Sequence, residues 1–367
     1  MSPFFPCFVL LVGDIDIGDR YFLSDTWSHL VYGRPKGWVS KGSDVQGLLA
    51  ALQGVYSMSA TAAVNPWLMP FLRNPFLRKY VWSRTQTFKN MDNLYANFEK
   101  MIDLKKTDEK LQKETLFFDG LDPARNPPNE YQYTREDLKA EVITFTAATL
   151  DGVAAFISPF VDNLLTHPAA YERVTREIRE ADKAGLLSSP VVTYDETVKH
   201  LPYFTACIKE TLRRDAPAQT ILPRIVSEGG YELHSGGKVY PVPAGATMGA
   251  SPYIIHRDET IFGSDPETWR PERWLREESG LNAKEHEAYV SKMEKFGMWW
   301  GYGDRECVGK YYAQMEMQKL CVEILRRFDV SVAVEEGKER FTHARWAVGM
   351  FWGQMLRFRE VEKVGKE

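Results

Sequence analysis

Three things are scarce in this sequence: cysteine, an excess of charge of one sign, and long apolar runs. Its 367 residues hold four cysteines, Cys7, Cys207, Cys307 and Cys321. That number in so long a chain excludes a disulfide scaffold, and no CxxC pair marks a zinc or redox site. Forty-six basic residues against 50 acidic ones leave a net charge of -4, so the balance makes no case for nucleic acid as a main partner. The apolar stretch at residues 4–12 is broken by Pro6 and is too short to span a bilayer, which takes roughly 20 residues. It also lacks the basic leader and small-residue cleavage site of a secretory signal. The chain as written is therefore expected to be soluble and to sit in a reducing, cytoplasmic compartment. Repeats and low-complexity tracts are also missing. What is abundant is aromatic: 10 Trp, 17 Tyr and 20 Phe point to a large aromatic core.

Apolar residues at helical spacing predict helices over 45–58 and 86–104. Residues 105–133, rich in charge and carrying Pro123, Pro127 and Pro128, read as a solvated connection. Thr134 and Asp137 have the spacing of a capping box, and the run from there to Thr166 is apolar on nearly every side. A helix of that kind belongs inside a large domain and would run on the order of 50 Å, with a kink expected at Pro159. Amphipathic helices are predicted at 168–184 and 203–214. Strand-like pieces punctuated by glycine and proline follow, at 222–226, 231–235 and 238–249. A glycine-rich loop at 297–309 opens into a helix at 308–328, and the tail beyond Val330 reads as short strands. The expected fold is mainly α with a small β-sheet.

Three motifs carry chemistry. In Trp300-Gly301-Tyr302-Gly303-Asp304-Arg305-Glu306-Cys307-Val308-Gly309, a cysteine stands where a glycine-rich loop meets a helix. Backbone N–H groups and the helix dipole favour a thiolate there. Gly301, Gly303 and Gly309 let the backbone approach something flat and bulky, and Arg305 can pair with an anion on it. A dinucleotide fingerprint fails, because Glu306 stands where it needs glycine. Taken alone, Cys307 also reads as a buried cysteine at a helix start. Glu210 and Arg213 share one helix face, which alone describes any solvated surface pair. The segment 269–274, WRPERW, reads as an extended aromatic stretch carrying arginines, or as a surface turn.

Together and in this order, the motifs resemble those of the cytochrome P-450 family of haem-thiolate enzymes, most closely fungal members of the pisatin-demethylase-like group. The E-x-x-R helix is matched by Glu210 and Arg213, the later P-x-R-[FW] by Pro271, Arg273 and Trp274, and the cysteine loop by residues 300–309. The resemblance implies haem b as cofactor, Cys307 as its axial thiolate and iron ligand, and Arg305 and Arg224 on its propionates. Trp300 replaces the usual Phe as a shield for the sulfur. Glu210, Arg213 and Arg273 would form an ion-pair triad holding the meander and the cysteine loop. Counting back from residues 164–168 places the distal acid–alcohol motif at residues 148–153. It keeps its acid as Asp151 but has Gly152 where threonine is expected, with Thr149 one turn earlier as a substitute displaced by about 4.5 Å along the axis. His256-Arg257-Asp258, Phe262-Gly263 and residues 326–329 extend the match.

The resemblance begins near residue 14 and makes residues 1–13 a hydrophobic start outside the family, with 14–367 a single partial domain. Compared with the family, the anchor, first helices and early strands are expected to be missing. The implied activity is oxidation of a medium-sized apolar compound in secondary metabolism, using dioxygen and electrons from an NADPH-dependent flavoprotein reductase. Asp151 helps deliver protons, and the missing threonine favours atypical, rearranging chemistry. Substrate contacts are expected at 144–148, 218–221 and 348–351. A full-length relative would sit on the cytoplasmic face of the endoplasmic reticulum. Two other readings stay open: a truncated relative that is inactive or only binds, and a cysteine-nucleophile hydrolase, which would need a histidine base that no motif supplies.

Overall fold

The computed structural model describes residues 12–52, 61, 65–80, 85, 89, 93, 96, 134–333, 342–345 and 349–361. Of the helix expected at 45–58, residues 45–52 are described, as a 3-10 turn Val45–Gly47 running into helix. The helix expected at 86–104 and the connection at 105–133 lie outside the described residues, apart from isolated positions. Two compact units are formed, Pro159–Val322 and Met1–Ser158 with Glu323–Glu367.

In the first of these, the helix Pro168–Lys183 buries Ala170, Val174, Ile178 and Ala181, one stripe at helical spacing. Pro202 begins the next helix, Pro202–Arg214, where a missing N–H costs nothing. The N–H groups of Tyr203 and Phe204 in its first turn donate to the Glu177 carboxylate, each at 2.9 Å. Burial of that carboxylate raises its pKa, and the two backbone N–H groups oppose the rise. Strand β2 (Leu222–Ile225) pairs antiparallel with β5 (Thr247–Ala250). Between them β3 (Tyr231–Ser235) and β4 (Lys238–Val242) make a hairpin. Its two-residue turn is Gly236-Gly237, both at positive φ (57° and 73°), as the primed hairpin turns require. The helix Ala283–Phe296 starts with a capping box between Asn282 and Glu285. Residues Pro271–Trp274, read from sequence as extended or as a surface turn, form a 3-10 turn, with Pro271, Arg273 and Trp274 buried. Side-chain demand explains the turn: Arg273 and Trp274 must both turn inward to the same carboxylate, which an extended strand would send to opposite faces.

In the second unit, β9 (Met355–Glu360) lies between β1 (Val12–Asp14) and β6 (Phe328–Val332), antiparallel to both. Leu356 and Phe358 of β9 point into the core while their neighbours face out. β7 (Thr342–Arg345) and β8 (Gly349–Trp352) form a separate pair. The helix Ile15–Tyr32 buries Leu23, Trp27 and Val31. Its Asp25 carboxylate accepts the N–H groups of Gly37, Trp38 and Val39, at 2.7, 3.1 and 2.9 Å.

The long helix runs Arg135–Thr166 with Pro159 inside it. Its start is the expected capping box: Thr134 N–H donates to Asp137 Oδ2 at 2.8 Å, and Asp137 N–H to Thr134 Oγ1 at 3.2 Å. Enclosure on every side holds only for its second half. Residues 153–161 are all buried, whereas Thr144 and Ala148 are exposed. The described elements are mainly helical with small antiparallel sheets.

Candidate haem-binding site and the buried charge cluster

The helix Pro202–Arg214 places Glu210 and Arg213 on one face, and neither reaches solvent. Five donors converge on the Glu210 carboxylate. Oε1 accepts from Arg213 Nη2 at 2.7 Å, Arg273 Nε at 2.9 Å and Arg270 N–H at 2.9 Å. Oε2 accepts from Arg213 Nε and Trp274 Nε1, both at 2.9 Å. Arg213 then donates to the carbonyls of His256 (2.9 Å), Thr268 (3.0 Å) and Pro266. Arg273 donates to those of Phe262, Asp265 (3.2 Å) and Thr268 (3.2 Å). The structure thus brings Glu210, Arg213 and Arg273 together. An isolated buried ion pair is weak evidence of stability, because desolvation offsets attraction. Here nearly every donor and acceptor is used, so the cluster fixes the 256–274 segment in one conformation. Trp274 and the Arg270 N–H complete the carboxylate's shell. The sequence named Trp274 in its motif, but no pattern showed that its indole N–H would be spent on Glu210.

His256 is fully buried and its ring accepts the Met298 N–H on Nε2 at 2.9 Å. Burial, and then the nearby Arg213 charge, push its imidazole down to about 3, so it is neutral.

The loop carrying Cys307 is glycine-built for two separate reasons. Gly301 and Gly303 have φ of 79° and 68°, a region L side chains rarely adopt. A Cβ on Gly301 would also come 3.3 Å from the Arg305 carbonyl. The Cys307 N–H donates to the Trp300 carbonyl at 2.7 Å, closing the loop on itself. Cys307 is exposed, unlike Cys207 and Cys321, which are buried. The helix that follows begins at Lys310. Arg224, on β2, reaches the loop at the edge of hydrogen-bonding distance, Nη2 to Tyr302 O at 3.5 Å. Among the described residues neither Arg224 nor Arg305 has a carboxylate partner. Lys310, by contrast, is paired with Glu306 at 2.8 Å.

The donor set fits haem. An exposed sulfur is framed by glycines, with two guanidinium groups left for anions and exposed apolar side chains in the same segments: Val308 82%, Tyr311 74%, Ile225 76%. A Cβ on Gly309 would meet one atom, the Cys307 sulfur at 3.9 Å. Among the described residues, Trp300's indole N–H is buried without an acceptor.

In the other unit, Asp151 on the long helix is fully buried and forms an ion pair with Arg20 of the helix Ile15–Tyr32, which is equally enclosed. Trp27 Nε1, further along that same helix, donates to Thr146 Oγ1 at 2.8 Å. Arg20 was not singled out from sequence. Its signal in the sequence is a lone arginine in a helix whose neighbouring charged residues, Asp16, Asp19 and Asp25, are all acidic. Thr149 is half-buried. A Cβ on Gly152 would meet nothing within 4 Å, so packing does not require glycine there. Of the expected substrate contacts, Thr144, Ala148 and Ile221 are exposed. Residue 348 and the side chain of Phe351 lie outside the described residues.

A sequence model of the family described as cytochrome P450 matches residues 20–351. The chain is 30% identical to "cytochrome P450 monooxygenase cicH" of Emericella nidulans over 328 residues, 89% of this chain and 62% of that protein. It is 29% identical to "quiannulatic acid synthase" of Emericella variicolor, over 80% of this chain and 56% of that protein. It is 27% identical to "cytochrome P450 monooxygenase aba1" of Botryotinia fuckeliana, over 87% of this chain and 59% of that protein. The chain therefore spans less than two thirds of the length of these curated relatives.

Proposed function

The chain belongs to the cytochrome P450 family, and on that premise we propose that it holds haem through Cys307 and oxidises a medium-sized apolar compound of fungal secondary metabolism. Dioxygen and a flavoprotein reductase are its proposed co-reactant and electron donor. The observation that carries this reading is the combination of an exposed Cys307 in a glycine-built loop with Arg224 and Arg305 near it, neither of which has a carboxylate partner among the described residues. Fungal relatives named as monooxygenases support the reaction class.

Thiolate-ligated haem supplies the reductive cleavage of dioxygen, which electron donation from sulfur favours. Cys307 would be the sulfur donor, its place set by the hydrogen bond from its own N–H to Trp300. Arg305 and Arg224 would pair with the propionates, as guanidinium forks suit carboxylates. Trp300 would cover the sulfur from water. Asp151 is the candidate acid for moving protons, and its pairing with Arg20 holds a carboxylate in the middle, apolar stretch of the helix. Gly152 brings no hydroxyl to relay from it. We therefore keep Thr149 as the nearest candidate alcohol and take the reaction to be atypical, favouring rearrangement or substrate-assisted proton delivery.

An absorption spectrum of the chain with haem, reduced under carbon monoxide, tests the assignment. A Soret band of the thiolate-ligated type, lost in Cys307→Ala, is expected. Free haem with no such band would overturn the reading for this chain.

A further inference from the structure

Among the described residues, the hydrogen bonds and ion pairs that the Glu210, Arg213 and Arg273 side chains make end on one another or on residues 256–274. The cluster holds the meander, yet none of these bonds reaches the Cys307 loop. One side chain does make that connection. Arg213 grips the His256 carbonyl at 2.9 Å, while the ring of the same residue accepts the Met298 N–H at 2.9 Å. From Met298 the path continues inside the loop: Gly301 N–H to Met298 O at 3.0 Å, then Cys307 N–H to Trp300 O at 2.7 Å. We propose that His256 is the positioning residue that transmits the order of the buried charge cluster to the Cys307 loop and thereby sets where the sulfur stands.

Three further observations support it. A backbone N–H can only donate, so Nε2 must accept and the ring proton sits on Nδ1. Among the described residues that N–H is buried with no acceptor, an unsatisfied donor that works against folding. An apolar ring would avoid this cost, so the fold keeps a histidine where its other nitrogen is needed. The ring is also clamped. Trp299 lies 5.4 Å away and Phe262 6.0 Å, centroid to centroid, and Trp299 packs in turn against Trp274 at 6.1 Å. Finally, Gly297 leaves room for that clamp, since a Cβ there would fall 2.0 Å from the Trp299 ring.

The proposal rests on the haem-thiolate reading only where haem is present, so the test runs on the full chain with and without haem. His256→Phe keeps a flat ring but removes the acceptor, and His256→Gln offers an amide oxygen in its place. Without haem, His256→Phe is expected to raise the alkylation rate of Cys307 by iodoacetamide at least about tenfold, the freeing expected from losing a contact of about 1.4 kcal/mol, and His256→Gln to bring it back towards wild type. With haem, His256→Phe should move the reduced carbon monoxide band towards the neutral-thiol form, again reversed by His256→Gln. A folded His256→Phe chain with unchanged alkylation rate would overturn the proposal. Should that variant not fold, amide hydrogen exchange on the wild-type chain decides. Protection of the Met298 amide together with those of Gly301 and Cys307 is expected, and exchange of Met298 at the rate of an exposed loop would overturn it. If alkylation and exchange behave as expected while no haem binds, the haem reading falls and the role of His256 stands.

Discussion

Arg20 and Asp151 form an ion pair in which neither side chain reaches solvent, at 3% and 0% exposure. A charge buried that deeply is costly without a partner, and each supplies one to the other. Arg20→Met is therefore expected to lower the unfolding free energy by about 3–5 kcal/mol, the cost of an uncompensated buried charge. Combining it with Asp151→Leu should recover most of that loss. Urea denaturation of the single and double variants measures both, and a near-neutral Arg20→Met would show the pair to be dispensable.

Space beside Asp151 leads to a second expectation. Because a Cβ on Gly152 meets nothing within 4 Å, Gly152→Ala should stabilise the helix by about 0.5–1 kcal/mol, the usual cost of glycine in a helix interior. Gly152→Thr fits the same space and adds the hydroxyl that the family motif carries. In the haem-loaded protein it should lower peroxide leakage and alter product distribution. Unchanged products and leakage would mean the missing alcohol does not shape the chemistry.

Glu316 carries a pH dependence. Its carboxylate is buried, and burial pushes its pKa from 4.5 up to about 8, opposed by the Tyr312 hydroxyl beside it. The folded chain thus binds this proton more tightly than the unfolded one. The stabilisation is complete below the unfolded value and is lost as pH rises from 4.5 to about 8, at no more than about 1.4 kcal/mol per pH unit. Glu316→Gln should flatten that part of the stability profile. A profile of equal slope in the variant would place the titration elsewhere.

Two glycines of the cysteine region should respond differently to alanine. Gly297→Ala forces Trp299 out of place, and a loss of about 1–3 kcal/mol in chain stability is expected, as for other overpacked sites. Gly309 is not among the positive-φ glycines, and its Cβ would reach the Cys307 sulfur alone. Gly309→Ala should leave the haem-free chain as stable as wild type and weaken haem uptake. Thermal unfolding without haem, set beside a haem titration, separates the two effects.

The local elements were legible from residue order. Hydrophobic spacing and caps placed the helices Arg135–Thr166, Pro168–Lys183 and Pro202–Arg214 almost to the residue, because periodicity and end chemistry act within a few turns of chain. Glycine at 236 and 237 marked the β3–β4 turn for the same local reason. The motif glycines, Cys307 and the E-x-x-R pair were equally readable, since spacing on a helix or in a loop is a one-dimensional property.

Partnership across the chain was not legible. Arg20 meets Asp151 over more than a hundred residues, and Trp274 turns its indole N–H to Glu210 across an intervening sheet and loop. The 271–274 segment became a 3-10 turn because Glu210 demands two of its side chains at once. His256 passed as one member of a short landmark, yet its two ends join separate parts of the site. Residue types and their spacing along the chain thus settled the helices, the turns and the candidate ligand. Which buried charge answers which, and what fixes the cysteine loop, was decided only when folding removed water and left each polar group to find its partner in space.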